Sequence, residues 1–172
     1  MRNFICAAAL VAVAAAMPAA AATSKATSAW DKEWLKTSIA GDRFEIMGGK
    51  LALQKSSNPA VHTLAQRLIT DHSKSLADSM KLAHSIGVQP PKDPTPSMLW
   101  ELKMVSSLSG RSFDHWYSNL EVYDHSQDIS EAKSEAGEGT NTAVRKEAQK
   151  ELPMLRMHLG LSRDALASSN SA

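Results

Sequence analysis

From position 28 to 56 the apolar residues Leu35, Ile39, Ile46 and Leu53, with Gly49 among them, return at three- and four-residue steps, and no proline interrupts them. That spacing predicts one long amphipathic helix over 28–56. A second stripe, Val61, Ala65, Leu68, His72, Leu76, Ser79 and Ile86, follows "SSNP", where Asn58 is placed to cap and Pro59 to occupy the first helical position. It predicts a helix over 59–86. The joint is only a few residues long, so the two helices form an antiparallel hairpin. The stretch "GVQPPKDPTPS" holds four prolines and is a linker, followed by a short helix over about 97–108. "SG" at 109–110 stops that helix, a third long one covers about 112–136, and "GEGTN" ends it. Val144, Ala148, Leu152, Leu155, Leu159 and Leu166 mark the fourth, over about 141–168, with a kink expected at Pro153.

Two hairpins joined by a crossover that carries a short helix make an all-α four-helix bundle. No strand competes, because there is no sustained alternation and no Asn-Gly or Asp-Gly turn between apolar runs.

The start of the chain reads as an address. Arg2 precedes the apolar run "FICAAALVAVAAAM", then Pro18 and a small-residue stretch, the pattern of a secretory signal peptide over 1–22 with cleavage after Ala20 or Ala22. The run is shorter than the ~20 residues of a membrane-spanning helix, so no transmembrane segment is expected in the mature chain, 23–172, which is one domain in the periplasm or outside the cell. Cys6, the only cysteine, leaves with the leader. Setting Arg2 aside leaves eighteen residues of each sign, which argues against nucleic acid as a partner. Oligomeric state is not readable from the pattern.

Polar residues on the apolar stripes carry the candidate chemistry. His72 stands between Leu68 and Leu76 at four-residue steps and faces the core. Glu45 borders the face of Ile46, Gly49 and Ala52, and lies about 12 residues from the hairpin turn against about 15 for His72, within one turn of the same level. On the fourth helix Glu151 and His158 continue the stripe of Val144, Ala148 and Leu155. On the third, the strongest apolar stripe is Phe113, Trp116, Tyr117 and Leu120, leading to Asp124, whereas His125 stacks with Glu121 and Ile129. Asp71 and Asp124, each beside a histidine in an Asp-His-Ser triplet, read as solvated flanks or as partners that orient an imidazole. His62, His84 and His115 lie off the stripes and read as surface residues. Trp30, Trp34, Trp100 and Trp116 read as anchors of the short helix and the N-terminal turn.

Two readings of the inward set stand side by side. One is a ladder of carboxylate–histidine hydrogen bonds that fixes helix register. The other is one transition-metal ion, zinc, copper or iron, held by His72, His125 and His158 with Glu45, and more weakly by Glu121. Met154 and Met157, beside His158, add thioether sulfur to the copper case. No cysteine nucleophile and no Gly-x-Ser-x-Gly motif supports acyl transfer.

The run "RFEIMGGKLALQKSSNPAVHTLAQRLITDHSKS", then "LSGRSFDHWY", "DHSQ" and "ELPMLRMHL", resembles a bacterial family of exported proteins known as domain of unknown function 4142, grouped with the ferritin-like superfamily. The resemblance covers roughly 32–167. It implies a ferritin-like four-helix bundle and places Glu45, Gly49, Asp71, His72, Gly110, Phe113, Asp114, Tyr117, His125, Pro153 and His158 at the family's motif positions, with no established activity. Di-iron bundles carry Glu-x-x-His on two helices. Here Ile69 stands three residues before His72 and Leu155 three before His158, which argues against a ferroxidase or oxygen-activating di-iron centre. The expectation is therefore an exported bundle that holds a metal ion in storage, sensing or stress protection. The alternative is a non-catalytic envelope or interaction protein whose Glu/His pairs only stabilise it.

Overall fold

The structure, a computed structural model, describes residues 26–171; the leader expected at 1–22 lies outside them. Five helices and no strand occur among the described residues: α1 (Ala29–Lys55), α2 (Pro59–Ser85), α3 (Pro96–Ser106), α4 (Gly110–Glu138) and α5 (Thr142–Ser171). No helix among them is long and apolar enough to cross a membrane.

Local chemistry sets each boundary. Ser28 Oγ accepts from the Asp31 amide while the Asp31 carboxylate accepts from the Ser28 amide, a capping box that starts α1. Asn58 accepts from the Ala60 amide ahead of Pro59, and Thr95 from the Met98 amide ahead of Pro96. The last proline of the linker thus begins α3 and does not precede it. Asn141 accepts from the Ala143 and Val144 amides at the start of α5. Gly87 and Gly110, the two described glycines with positive φ, turn the chain after α2 and into α4. α5 runs on through Pro153, which removes one backbone donor from it.

The short turns at 56–58 and 139–141 make α1–α2 and α4–α5 antiparallel hairpins. α1 packs on α2 and α4, and α5 on α2 and α4, so the four long helices form a ring. Contacts between Asp71 and His158 and between Asn58 and Ser168 run α2 and α5 antiparallel, and Asp31 with Thr140 does the same for α1 and α4. The crossover 86–109, with α3 packed on α1 and α4, travels the length of the bundle to join the diagonal pair α2 and α4.

Two apolar clusters fill the ends. One gathers Leu35, Ile39, Ala83, Ile129, Val144 and Leu155; the other gathers Ala52, Val61, Leu64, Leu68, Phe113 and Tyr117. Between them lies a polar waist of Asp42, Glu45, His72, Glu121, His125, Glu151 and His158, all buried.

Two expectations are corrected. In α4 the buried row is Phe113, Tyr117, Glu121, His125 and Ile129, while Trp116 is 53% exposed. A strict four-residue row won over the more apolar one, because the waist calls for polar side chains there. Of the four tryptophans only Trp34 is buried; Trp30, Trp100 and Trp116 stand more than half exposed.

Candidate metal centre

His72, His125 and His158 come from α2, α4 and α5, and a ring nitrogen of each lies within 4.8 Å of the others. The ring centroids are 5.0 Å apart for His72–His158, 5.2 Å for His125–His158 and 5.8 Å for His72–His125. Three helices thus bring three imidazoles together; the stripe positions of His72 and His158 predict that each faces the core, and both are buried.

The outer nitrogens are tied down. His125 Nδ1 lies 2.9 Å from the Glu121 backbone carbonyl, which only accepts, so this nitrogen carries the proton and Nε2 presents its lone pair inward. His158 Nε2 donates to Asp71 Oδ2 at 3.0 Å, and the same oxygen accepts from Arg67 Nε–H at 2.6 Å. His72 Nδ1 meets Asp42 Oδ1 at 2.8 Å, and its Nε2 has no partner. Each ring therefore has an oxygen fixing its outer edge, the arrangement that orients imidazoles around a metal. His125 Nε2 and His158 Nδ1 face one another at 3.2 Å.

Burial is the main electrostatic influence. It lowers His72 and His158 to about 4 and His125 to about 3, the last helped by the neighbouring rings. The three imidazoles are neutral at neutral pH, the form that binds metals. Burial likewise pushes the Asp42 carboxyl well above its ordinary value, so a proton is held along the Asp42–His72 contact.

A second group shares His125. Carboxylate oxygens of Glu45 and Glu121 and a His125 nitrogen lie within 4.8 Å of one another, with Glu121 Oε2 3.7 Å from His125 Nδ1. Burial, then the charge of Glu121, raises Glu45 well above the carboxylate range; burial raises Glu121 to about 7. Glu151 stands apart, its Oε1 accepting from Ser38 and Ser75 hydroxyls at 3.2 Å each, and burial raises it to about 8.

Asp42 Oδ2, Glu45 Oε2, His72 Nε2 and Glu121 Oε2 are all buried without a hydrogen-bond partner among the described residues. An unmet buried polar group costs about 1–3 kcal/mol, so four of them in one layer call for something that satisfies them.

Glu45 lies with Glu121 and not against His72; Asp42, one turn earlier, takes the place expected of it. Asp42 is the residue that sequence reasoning missed, although it follows Leu35 and Ile39 at helical spacing. Asp71 orients an imidazole, as one of its two readings had it, but that of His158 across the helix interface and not its neighbour His72. Met154 and Met157 line a surface cavity with Arg67, Asp71 and Glu151. His62 and His115 are half-buried, bonded to the Ser56 carbonyl and to Asn170, and His84 is exposed.

No curated protein and no solved structure matches the chain. The family model described as "Domain of unknown function (DUF4142)" matches residues 16–164. The chain belongs to the DUF4142 family.

Proposed function

We propose that this protein is an exported, ferritin-like bundle that holds one transition-metal ion through His72, His125 and His158. The observation that carries the reading is the inward meeting of three neutral imidazoles whose outer nitrogens are each engaged by oxygen. Facing lone pairs repel one another unless a cation lies between them. Three nitrogen donors suit zinc, copper or iron(II) and leave a further coordination position open. A single long crossover between diagonal helices is the connectivity of ferritin-like folds, which supports that part of the reading. The apolar leader at 1–22 supports export. His125 and His158 are fully buried and His72 nearly so, which favours sequestration or sensing over turnover of a substrate.

A second reading is an envelope or interaction protein whose Glu/His pairs only hold the bundle. One observation favours it: 3.2 Å between His125 Nε2 and His158 Nδ1 is also a hydrogen-bond distance if one ring takes the other tautomer. Elemental analysis of natively purified protein, beside a His72→Ala/His158→Ala double variant, separates the two. One equivalent in the wild type and none in the variant is expected. Less than about a tenth of an equivalent, with melting unchanged on adding zinc, copper or iron, overturns the metal reading.

A further inference from the structure

We infer a second cation position beside the imidazoles, formed by the carboxylates of Glu45 and Glu121 and filled from the acidic cavity between α1, α3 and α4, for a hard divalent ion such as manganese(II). The inference extends the reading of a metal-holding core, but it rests on different atoms.

Glu45 and Glu121 are 2% and 1% exposed, and Glu45 Oε2 and Glu121 Oε2 have no hydrogen-bond partner. The charges that act on Glu45 are those of Glu121, Asp128 and Asp124, all of one sign. The carboxylate oxygens of Glu45 and Glu121 already lie within 4.8 Å of each other, a span a single ion can bridge. His125 forms the wall between the two positions: its Nε2 faces the other imidazoles, and its Nδ1–H is spent on the Glu121 carbonyl. The second position is therefore an oxygen site.

A cavity of about 230 Å³ leads to it. Glu45 lies in its lining with Glu101, Asp124, Gln127, Asp128 and Glu131, and among the described residues no lysine or arginine lines it. Asp124 Oδ2 is a further buried oxygen without a partner. Such a passage concentrates cations and admits the waters that complete the shell of an ion held by one or two carboxylates. Oxygen donors with retained water select manganese(II), magnesium or calcium, whereas the three imidazoles select zinc or copper. The two positions differ in kind and can be loaded separately. The competing occupant is a proton shared by the two carboxyls.

Manganese(II) alone decides between them. Stripped full-length mature protein, with and without one prior equivalent of zinc, is titrated with manganese(II), and free ion is read by its electron paramagnetic resonance signal. One equivalent bound in both cases is expected. Glu45→Gln and Glu121→Gln each weaken it by at least about tenfold and leave zinc uptake unchanged. Circular dichroism establishes that these near-isosteric variants are folded, and Glu101→Gln, at the cavity wall, slows manganese uptake severalfold without touching the core. Uptake below about a tenth of an equivalent by the wild type, or undiminished uptake by the folded glutamine variants, overturns the second position. Unchanged uptake rates in Glu101→Gln overturn the entry route. If zinc does not bind but manganese does, the imidazole reading fails and this one stands.

Discussion

His158 Nε2 reaches across to Asp71, the sequence neighbour of a different histidine, His72. The doubled Asp-His-Ser triplet is therefore not a repeated unit. Asp71 serves a ring on another helix, while Asp124 faces the acidic cavity.

Asp71→Asn and Asp42→Asn each replace a carboxyl group that fixes the outer edge of one imidazole. Each is expected to weaken zinc binding by about 10–100-fold with little change in secondary structure, read by competition with a chromophoric chelator. Affinity equal to wild type in both variants would mean the rings need no such support.

The pH dependence of the metal-free protein follows from opposed shifts. Imidazoles whose folded values of about 3–4 lie below the unfolded 6.5 contribute stability that is complete above 6.5 and lost as pH falls toward those values. Glu121 and Glu135, raised to about 7, and Glu151 and Asp124, raised to about 8, contribute stability that is lost as pH rises through those values. Between about pH 4.5 and 6.5 the two effects oppose each other; below that window only the first acts, and above it only the second. Melting temperature is expected to form a plateau there and fall on both sides, and metal held by Glu45 and Glu121 should remove only the part of the alkaline fall that Glu121 contributes. A monotonic rise from pH 5 to 8 in stripped protein would contradict this.

Two glycines should respond with opposite sign. A Cβ at Gly49 would sit 2.9 Å from the Ala65 carbonyl oxygen and 2.8 Å from Ile69 Cγ1, and the carbonyl cannot give way. Gly49→Ala should cost about 1–3 kcal/mol by pushing α1 from α2. At Gly160, exposed in α5, a Cβ meets nothing within 4 Å, so Gly160→Ala should stabilise by about 0.5–1 kcal/mol. Urea unfolding of the two variants checks both.

Asp31 ties the first turn of α1 to the last turn of the bundle. Its carboxylate accepts from Ser28, from the Thr140 amide and hydroxyl, and from the Asn141 amide. Burial alone would raise it, but these bonds outweigh burial and hold it well below the usual carboxylate range. Asp31→Ala should cost about 3 kcal/mol, since it removes a cap and leaves the buried Asn141 amide unmet. A loss under about 0.5 kcal/mol in urea would show the tie to be slack.

Hairpins and crossover were legible because caps, prolines and apolar spacing agree at nearly every boundary. His72 and His158 were legible because each interrupts a clean stripe. The buried face of α4 was harder, since counting apolar residues ranks the Trp116–Leu120 side above a row holding Glu121 and His125. Asp42 was missed because an aspartate defaults to solvent, and only the imidazole of a helix thirty residues on gives it a reason to be inside. The packing of helix α3, and with it the acidic cavity it bounds, depends on how the crossover lies, which no local pattern encodes.

The polar waist also divides the bundle thermodynamically. Interlocked apolar side chains couple distant parts of a core, and here two such cores are separated by a layer with unmet donors and acceptors. Without a cation, the two ends can open as separate units, visible as two classes of hydrogen-exchange protection along each long helix. An ion held at the waist would act as a rivet through α2, α4 and α5, merging two half-cores into one cooperative block. Cooperativity of unfolding, more than stability itself, would then report whether the protein is loaded.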